Sequence, residues 1–219
     1  MGLLLGLALL ALDAALSEVL PPAPVAALLV AALALLSGGL HLDGVADTAD
    51  ALAVQGDRAR RLAVMRSGDV GPAGVMALVL VLLVQWSALA SLEDSVRPGA
   101  LVLGPLLARW TVVPVALTFP PARPDGLGAT IRGGLWPVAG PLSTAIAVAA
   151  AIVLFGAGGL VVVALAAGAA LIVAGAAARL LGGVTGDVFG AGIEVSQAGV
   201  WLSIVALQQQ DWIAPGLLG

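Results

Sequence analysis

Long apolar runs separated by short polar stretches divide this chain. The runs are Gly2–Leu20, Val25–Leu40, Pro72–Leu92, Gly99–Phe119, Leu135–Phe155, Leu160–Leu181 and Ala198 to about Ile213, the last short and followed by Pro215. Each approaches the ~20 apolar residues a helix needs to cross the hydrocarbon of a bilayer. The alternating polarity of a closed barrel, the only other spanning design, is absent. The pattern therefore predicts an all-α fold, a polytopic membrane bundle of about seven transmembrane helices forming one integral membrane domain over residues 1–219. Its polar stretches, about 41–71, 120–134 and 182–197, are expected as loops that together form the active site, with short turns at Glu93–Pro98 and Gly156–Gly159. The first run carries Asp13 and Glu18 and lacks the basic start and small-residue cleavage site of a secretory leader, so no removed leader is expected.

Composition agrees with this setting. At 61% hydrophobic residues, 10% charged residues and a mean hydropathy of +1.12, a chain of 219 residues cannot hide its apolar surface as a water-soluble globule. There is no cysteine, which removes disulfides and thiolate metal ligands from consideration. All nine basic residues are Arg. With seven crossings, the three longer polar stretches fall on one side of the membrane and the two short turns on the other. Arg58, Arg60, Arg61, Arg66, Arg123, Arg132 and Arg179 lie at the first side and Arg97 alone at the second. Positive residues mark the cytoplasmic face, so a multi-pass membrane protein with its polar loops facing the cytoplasm is expected.

The candidate chemistry begins at His41-Leu-Asp43-Gly44-Val-Ala-Asp47-Thr-Ala-Asp50, with three carboxylates in eight residues. On a helix, spacings of four and three put Asp43, Asp47 and Asp50 at about 0°, 40° and −20° around the axis, on one face. Like charges this close repel unless a cation sits among them. Oxygen-only ligands suit Mg²⁺ or Mn²⁺ rather than Zn²⁺. The plainer alternative is a solvated helix start with acids near its positive end. A second acidic stretch, Gly183-Val-Thr185-Gly186-Asp187 through Glu194, again puts two acids on one helical face, or is an ordinary capped interhelical loop. Arg109 lies inside an apolar run, where a basic group is costly unless paired or snorkelling. Arg58, Arg61 and Arg66 follow the first acids, and metal with Arg is the pairing phosphoryl chemistry uses; positive-inside topology explains them equally well. His41 reads as a base or as a satisfied polar residue at a helix terminus.

These motifs, taken in order, resemble one family. His41-x-Asp43-Gly44-x-Ala46-Asp47-x-x-Asp50, Asp57-Arg58 with Arg61 and Met65-Arg66, Gly71, Arg123-Pro-x-Gly126-Leu-Gly128, and Gly183-x-Thr185-Gly186-Asp187-x-x-Gly190-Ala191-x-x-Glu194 are similar to the cobalamin synthases, the adenosylcobinamide-GDP ribazoletransferases. The acidic motif also resembles, in style, that of CDP-alcohol phosphotransferases. The family resemblance implies an integral enzyme of the cell inner membrane, acting late in cobalamin biosynthesis, that joins adenosylcobinamide-GDP to α-ribazole or its 5′-phosphate and releases GMP, with Mg²⁺ required. Its partners would be those substrates and the lipid bilayer, with no nucleic acid, and a homo-oligomer is compatible. The site this implies has Asp43, Asp47, Asp50 and His41 as catalytic groups and Asp43, Asp47, Asp50, Asp187 and Glu194 as metal ligands. Gly44, Arg58, Arg61, Arg66, Arg109, Arg123, Thr185 and Gly186 would bind substrate phosphates. Attack by the ribazole 5′-hydroxyl or phosphate oxygen on the cobinamide-side phosphorus is the expected step.

The chain departs from the family pattern in three places. A segment with a Thr-Arg-x-Pro-like stretch usually precedes the first run, so the expectation is either a truncated gene model or a shortened protein, with any substrate contact from that segment missing. Arg66-Ser-Gly-Asp69-Val-Gly71 lacks a second basic residue, and Gln197 stands where an acid is common. The competing expectation is a cation transporter using the acids as ion sites.

Overall fold

Residues 1–213 are described by the structure, a computed structural model, and Pro215 lies outside them. The elements are α1 (Gly2–Ser17), α2 (Pro22–Leu36), α3 (Leu40–Ala53), α4 (Arg58–Val64), α5 (Pro72–Ala90), α6 (Arg97–Trp110), α7 (Val112–Thr118), α8 (Leu127–Gly134), α9 (Ala139–Phe155), α10 (Gly158–Leu181) and α11 (Gly186–Gln208). Pro22 and Pro72 open α2 and α5, where a missing N–H costs nothing because it would have no intrahelical partner.

Four segments are long and apolar enough to cross a membrane unaided: α5, α6 with α7, α10 and α11. Two bent pairs raise the number to six, α2 with α3 turning by 88° and α8 with α9 by 89°; α1 is apolar but shorter. The uninterrupted second run expected at Val25–Leu40 is thus broken. Its bend sits at Gly38 and Gly39, whose φ values of 62° and 73° favour residues without a Cβ. We read α3, turned off the axis of α2, as lying outside the spanning segments.

A larger correction concerns the C-terminal third. Gly182–Gln197 is not a loop, and Ala198–Ile213 is not a separate span. Only Gly182–Thr185 is irregular, and one helix, α11, runs from Gly186 through both regions. It is buried along most of its length and packs against α3, α5, α6 and α10, which makes it the core of the bundle. Trp201 shows how close the packing is: its fully buried indole N–H donates to the Ala100 carbonyl at 3.0 Å. Gly104 lies directly beneath that ring, and any side chain there would collide with it. Small residues at helix contacts let backbones approach in this way in membranes. On the outside, Val79, Leu80 and Leu83 of α5, Ile146 and Val153 of α9, and Leu160, Leu165 and Ile172 of α10 are exposed, an apolar surface that suits lipid.

Candidate active site

Three polar regions far apart in sequence meet at one end of the bundle. Residues 120–122 pair with 183–184: the Ala122 N–H donates to the Val184 carbonyl and the Val184 N–H to the Pro120 carbonyl, both at 2.9 Å. Gly183 is required there, because a Cβ would sit 2.4 Å from the Pro120 oxygen. Arg58 ties the third region in. Its Nε donates to the Leu181 carbonyl at 2.7 Å and its Nη2 to the Ala122 carbonyl. Arg58, expected as a phosphate contact, therefore holds backbone. Arg58→Ala is expected to cost about 1–3 kcal/mol of stability, read as a lowered melting temperature in detergent.

The other expected phosphate contacts divide. Arg61 Nη1 donates to the Ala51 and Leu52 carbonyls, both at 2.8 Å, and so caps the C-terminus of α3. Arg66 donates to the Leu62 carbonyl within its own helical turn. Arg109 lies inside the bundle, its Nη1 donating to Gln197 Oε1 at 2.6 Å, and does not line the cleft described below. Gly44 packs rather than binds, since a Cβ would fall 2.6 Å from the Asp187 carbonyl oxygen, so α3 and the start of α11 touch backbone to backbone. Arg123 is the exception. It lines the cleft, gives only Nη2 to the Leu62 carbonyl at 3.2 Å, and keeps a buried Nε with no partner.

The cleft has a volume of about 420 Å³ and lies between α3, α7, α8 and α11. At its polar end stand Asp43, Arg123, Gly126, Gly128, Thr185, Gly186 and Asp187. The N-termini of α8 and α11 both open there, each offering backbone N–H groups and a positive helix end, an arrangement that favours anions. Thr185 caps α11, accepting from the Val188 N–H at 3.3 Å while its hydroxyl donates to Asp187 Oδ2 at 3.2 Å.

The acids do not act as one group of five. Asp43 is exposed, and Asp47 and Asp187 are half-buried near it. Burial first, then the charges of Asp43, Asp187 and Asp50, push the Asp47 carboxyl up to about 6. Asp50 faces elsewhere: its Oδ2 accepts from the Gly71 N–H at 2.7 Å and its Oδ1 from the Gly74 N–H at 2.9 Å. Those are the cap and third residue of α5, so Asp50 supplies from α3 the cap that Gly71 lacks. Glu194 is buried two turns into α11, where Gln85 donates to its Oε2 at 2.7 Å and His41 Nδ1 lies 3.5 Å from its Oε1. His41 lines the cleft and bridges the two regions.

Among the described residues, no three or more His, Asp or Glu side chains are gathered as a ready-made metal cage. That excludes a closed all-protein site from this arrangement but suits Mg²⁺, which is commonly held by one or two carboxylates together with substrate phosphates. Asp43 and Asp187 line an anion-binding cleft, and Asp47, whose carboxyl is pushed up by burial and then by the charges of Asp43, Asp187 and Asp50, is their neighbour; together they form a donor set that fits such an ion.

Fold and site together define a multi-pass membrane enzyme whose polar cleft opens at the ends of its helices. Its relatives sharpen that description. The family model described as Cobalamin-5-phosphate synthase matches residues 1–205. An adenosylcobinamide-GDP ribazoletransferase of Pseudomonas fluorescens is 42% identical over 204 residues, covering 93% of this chain and 84% of the relative. One from Stutzerimonas stutzeri is 43% identical over 212 residues, covering 94% and 84%. One from a Nocardioides species is 45% identical over 188 residues, covering 85% and 75%. No solved structure matches. The chain belongs to the cobalamin-5-phosphate synthase family, and it is a transferase of cobalamin biosynthesis.

Proposed function

We propose that the cleft joins adenosylcobinamide-GDP to α-ribazole, or to α-ribazole 5′-phosphate, yielding adenosylcobalamin or its 5′-phosphate together with GMP. The observation that carries this reading is the polar end of the cleft, where Arg123 with its unpartnered Nε and two helix N-termini meet Asp43 and Asp187. It is an anion-binding corner edged by acids. In the transfer, a ribazole oxygen attacks the cobinamide-side phosphorus, a new P–O bond forms, and the bond to the GMP oxygen breaks. If the 5′-phosphorylated substrate is to give a product that keeps that phosphate, the 5′ oxygen cannot be the nucleophile. A ring hydroxyl of the ribose replaces it in the mechanism.

Arg123 and the N–H groups at the starts of α8 and α11 orient the diphosphate and take up charge on its oxygens. Asp43, Asp187 and His41 line the cleft and are the groups placed to accept the hydroxyl proton. Asp43, Asp47 and Asp187 would hold Mg²⁺, which when bound neutralises charge on the leaving phosphate. The strong bias of Arg toward the cleft end supports a cytoplasm-facing site in the inner membrane. Cation transport fits less well, because the deep carboxylate of Glu194 is tied to Gln85 and lies near the Arg109 charge.

Detergent-solubilised protein with Mg²⁺, adenosylcobinamide-GDP and α-ribazole is expected to release one GMP per corrinoid product, followed by chromatography. Release of GMP that does not depend on ribazole, or none with either ribazole form, would overturn the proposal.

A further inference from the structure

Glu194 stands behind the cleft lining, two turns into α11, and is only 4% exposed. A carboxylate at such depth is costly unless it has partners. One of its oxygens has them: the amide nitrogen of Gln85, itself buried, donates to Oε2 at 2.7 Å and to the Glu194 carbonyl at 3.2 Å. Arg109 adds a positive charge nearby. The other oxygen, Oε1, faces His41 Nδ1, which is 3.5 Å away and has no other partner.

The packing that makes this pair is specific. Gly190 precedes Glu194 by one turn of α11, and a Cβ on it would stand 3.1 Å from His41 Cα and 3.3 Å from the His41 carbonyl oxygen. The start of α3 therefore rests directly on α11, which sets His41 beside Glu194. The imidazole is divided between two surroundings: Nδ1 is shut off from solvent, yet the side chain keeps 24% of its surface and lines the cleft. The open edge is thus the one that carries Nε2. A carboxylate facing Nδ1 favours the tautomer with its hydrogen there and leaves Nε2 as an acceptor. A base oriented from behind by a third group is a recurrent way of aiming an acceptor at a reacting hydroxyl.

We propose that Glu194, held by Gln85, is the positioning residue for His41: it fixes the ring with Nδ1–H turned inward, so that Nε2 accepts the hydrogen bond of the attacking ribazole hydroxyl. This deepens the proposed transfer and rests on it. It also gives Glu194 a place outside the metal site that the family resemblance implies for it, and leaves Asp43 and Asp187 to the cation. The separation of 3.5 Å is long for a hydrogen bond, as contacts of this kind commonly are before substrate binds.

His41 is the only histidine of the chain, so nitrogen-15 labelling of histidine in the full-length protein, in detergent and without a polyhistidine tag, reports a single imidazole. At about pH 9, where an ordinary imidazole is neutral, the wild type is expected to show hydrogen on Nδ1 and a bare Nε2. Glu194→Gln keeps the size of the side chain and the bond from Gln85 but turns an amide N–H toward Nδ1, and is expected to move the hydrogen to Nε2. Its kcat is expected to fall at least about a hundredfold, the lower end for a positioned acid or base, with both KM values within about twofold of wild type. In a His41→Ala background the same substitution is expected to change kcat less than about twofold, because residues that act as one unit are not additive. A wild-type ring with hydrogen on Nε2 or on both nitrogens, a Glu194→Gln variant with normal kcat, a loss confined to KM, or an undiminished loss without the imidazole would overturn the assignment. If wild-type protein forms no GMP, the proposed transfer fails and the spectra alone decide the positioning: hydrogen on Nδ1 in the wild type and on Nε2 in Glu194→Gln uphold it, and any other pair of results ends it.

Discussion

Asp47→Asn is expected to lower kcat by about a hundred- to a thousandfold, the scale seen when one well-placed electrostatic group is removed, and to make the metal-free protein more stable. Both effects have one cause. Asp47 is partly withdrawn from solvent and then crowded by Asp43, Asp187 and Asp50, which lifts its carboxyl to about 6 from an ordinary value of 3.8. Between those values the folded chain binds a proton that the unfolded chain has released. Stability from this group is therefore greatest at low pH and is lost as pH rises through about 6. Without metal, melting temperature should fall between pH 5 and pH 7.5, and the asparagine variant should lose that part of the slope. Added Mg²⁺ should raise the wild-type melting temperature at pH 7.5 and much less at pH 5, where the carboxyl is already protonated. An asparagine variant that keeps normal GMP release, or a wild type whose melting is unmoved by Mg²⁺ at pH 7.5, would remove Asp47 from the site. A site whose assembled charges are unfavourable until ligand arrives is a familiar exchange of stability for function.

The order of apolar runs made the helical membrane class plain, because burying or exposing so much apolar surface leaves few alternatives. Roles within the polar stretches were harder to read. Spacing put Asp43, Asp47 and Asp50 on one helical face, yet it cannot tell a carboxylate facing a cleft from one facing a neighbouring helix end. One clue was present: Gly71-Pro72 starts α5 with a residue that has no side chain to cap it, so the cap had to come from elsewhere. In Gly182–Gln197 the glycines suggested a loop. Gly186 and Gly190 are instead contact points of a helix, against Leu127 and the backbone of His41 respectively, as small residues commonly are between membrane helices. The arginines misled for a related reason. Arg58 and Arg61 have the right type and place for phosphate, but the carbonyls they bind belong to residues that only the fold brings near.

The largest expected loss of stability lies in a pairing no spacing announced. Asp13 of α1 and Arg97 at the start of α6 are both buried, 84 residues apart. Arg97 Nε donates to Asp13 Oδ1 at 2.9 Å and Oδ2 at 3.1 Å, Nη2 donates to Oδ1 at 2.7 Å, and Nη1 donates to the Leu89 carbonyl at 2.7 Å. The guanidinium is thus satisfied on both edges in a surround that includes Leu9, Leu92 and Val96. Asp13→Ala would leave that charge with one carbonyl, and breaking a buried pair from one side typically costs about 3–5 kcal/mol. The same contact fastens α1 along α6, where Gly2 and Gly6 bring the two backbones together. If the missing partner is the cause, replacing both residues with Asp13→Leu and Arg97→Met should recover most of the melting temperature, since apolar substitutes of similar volume often equal or exceed a buried ion pair. If the double variant is as unstable as Asp13→Ala, the cost lies in α1 packing instead. Either way, KM values of the folded fraction should remain near wild type, because this pair is at the opposite end of α6–α7 from the residues that line the cleft.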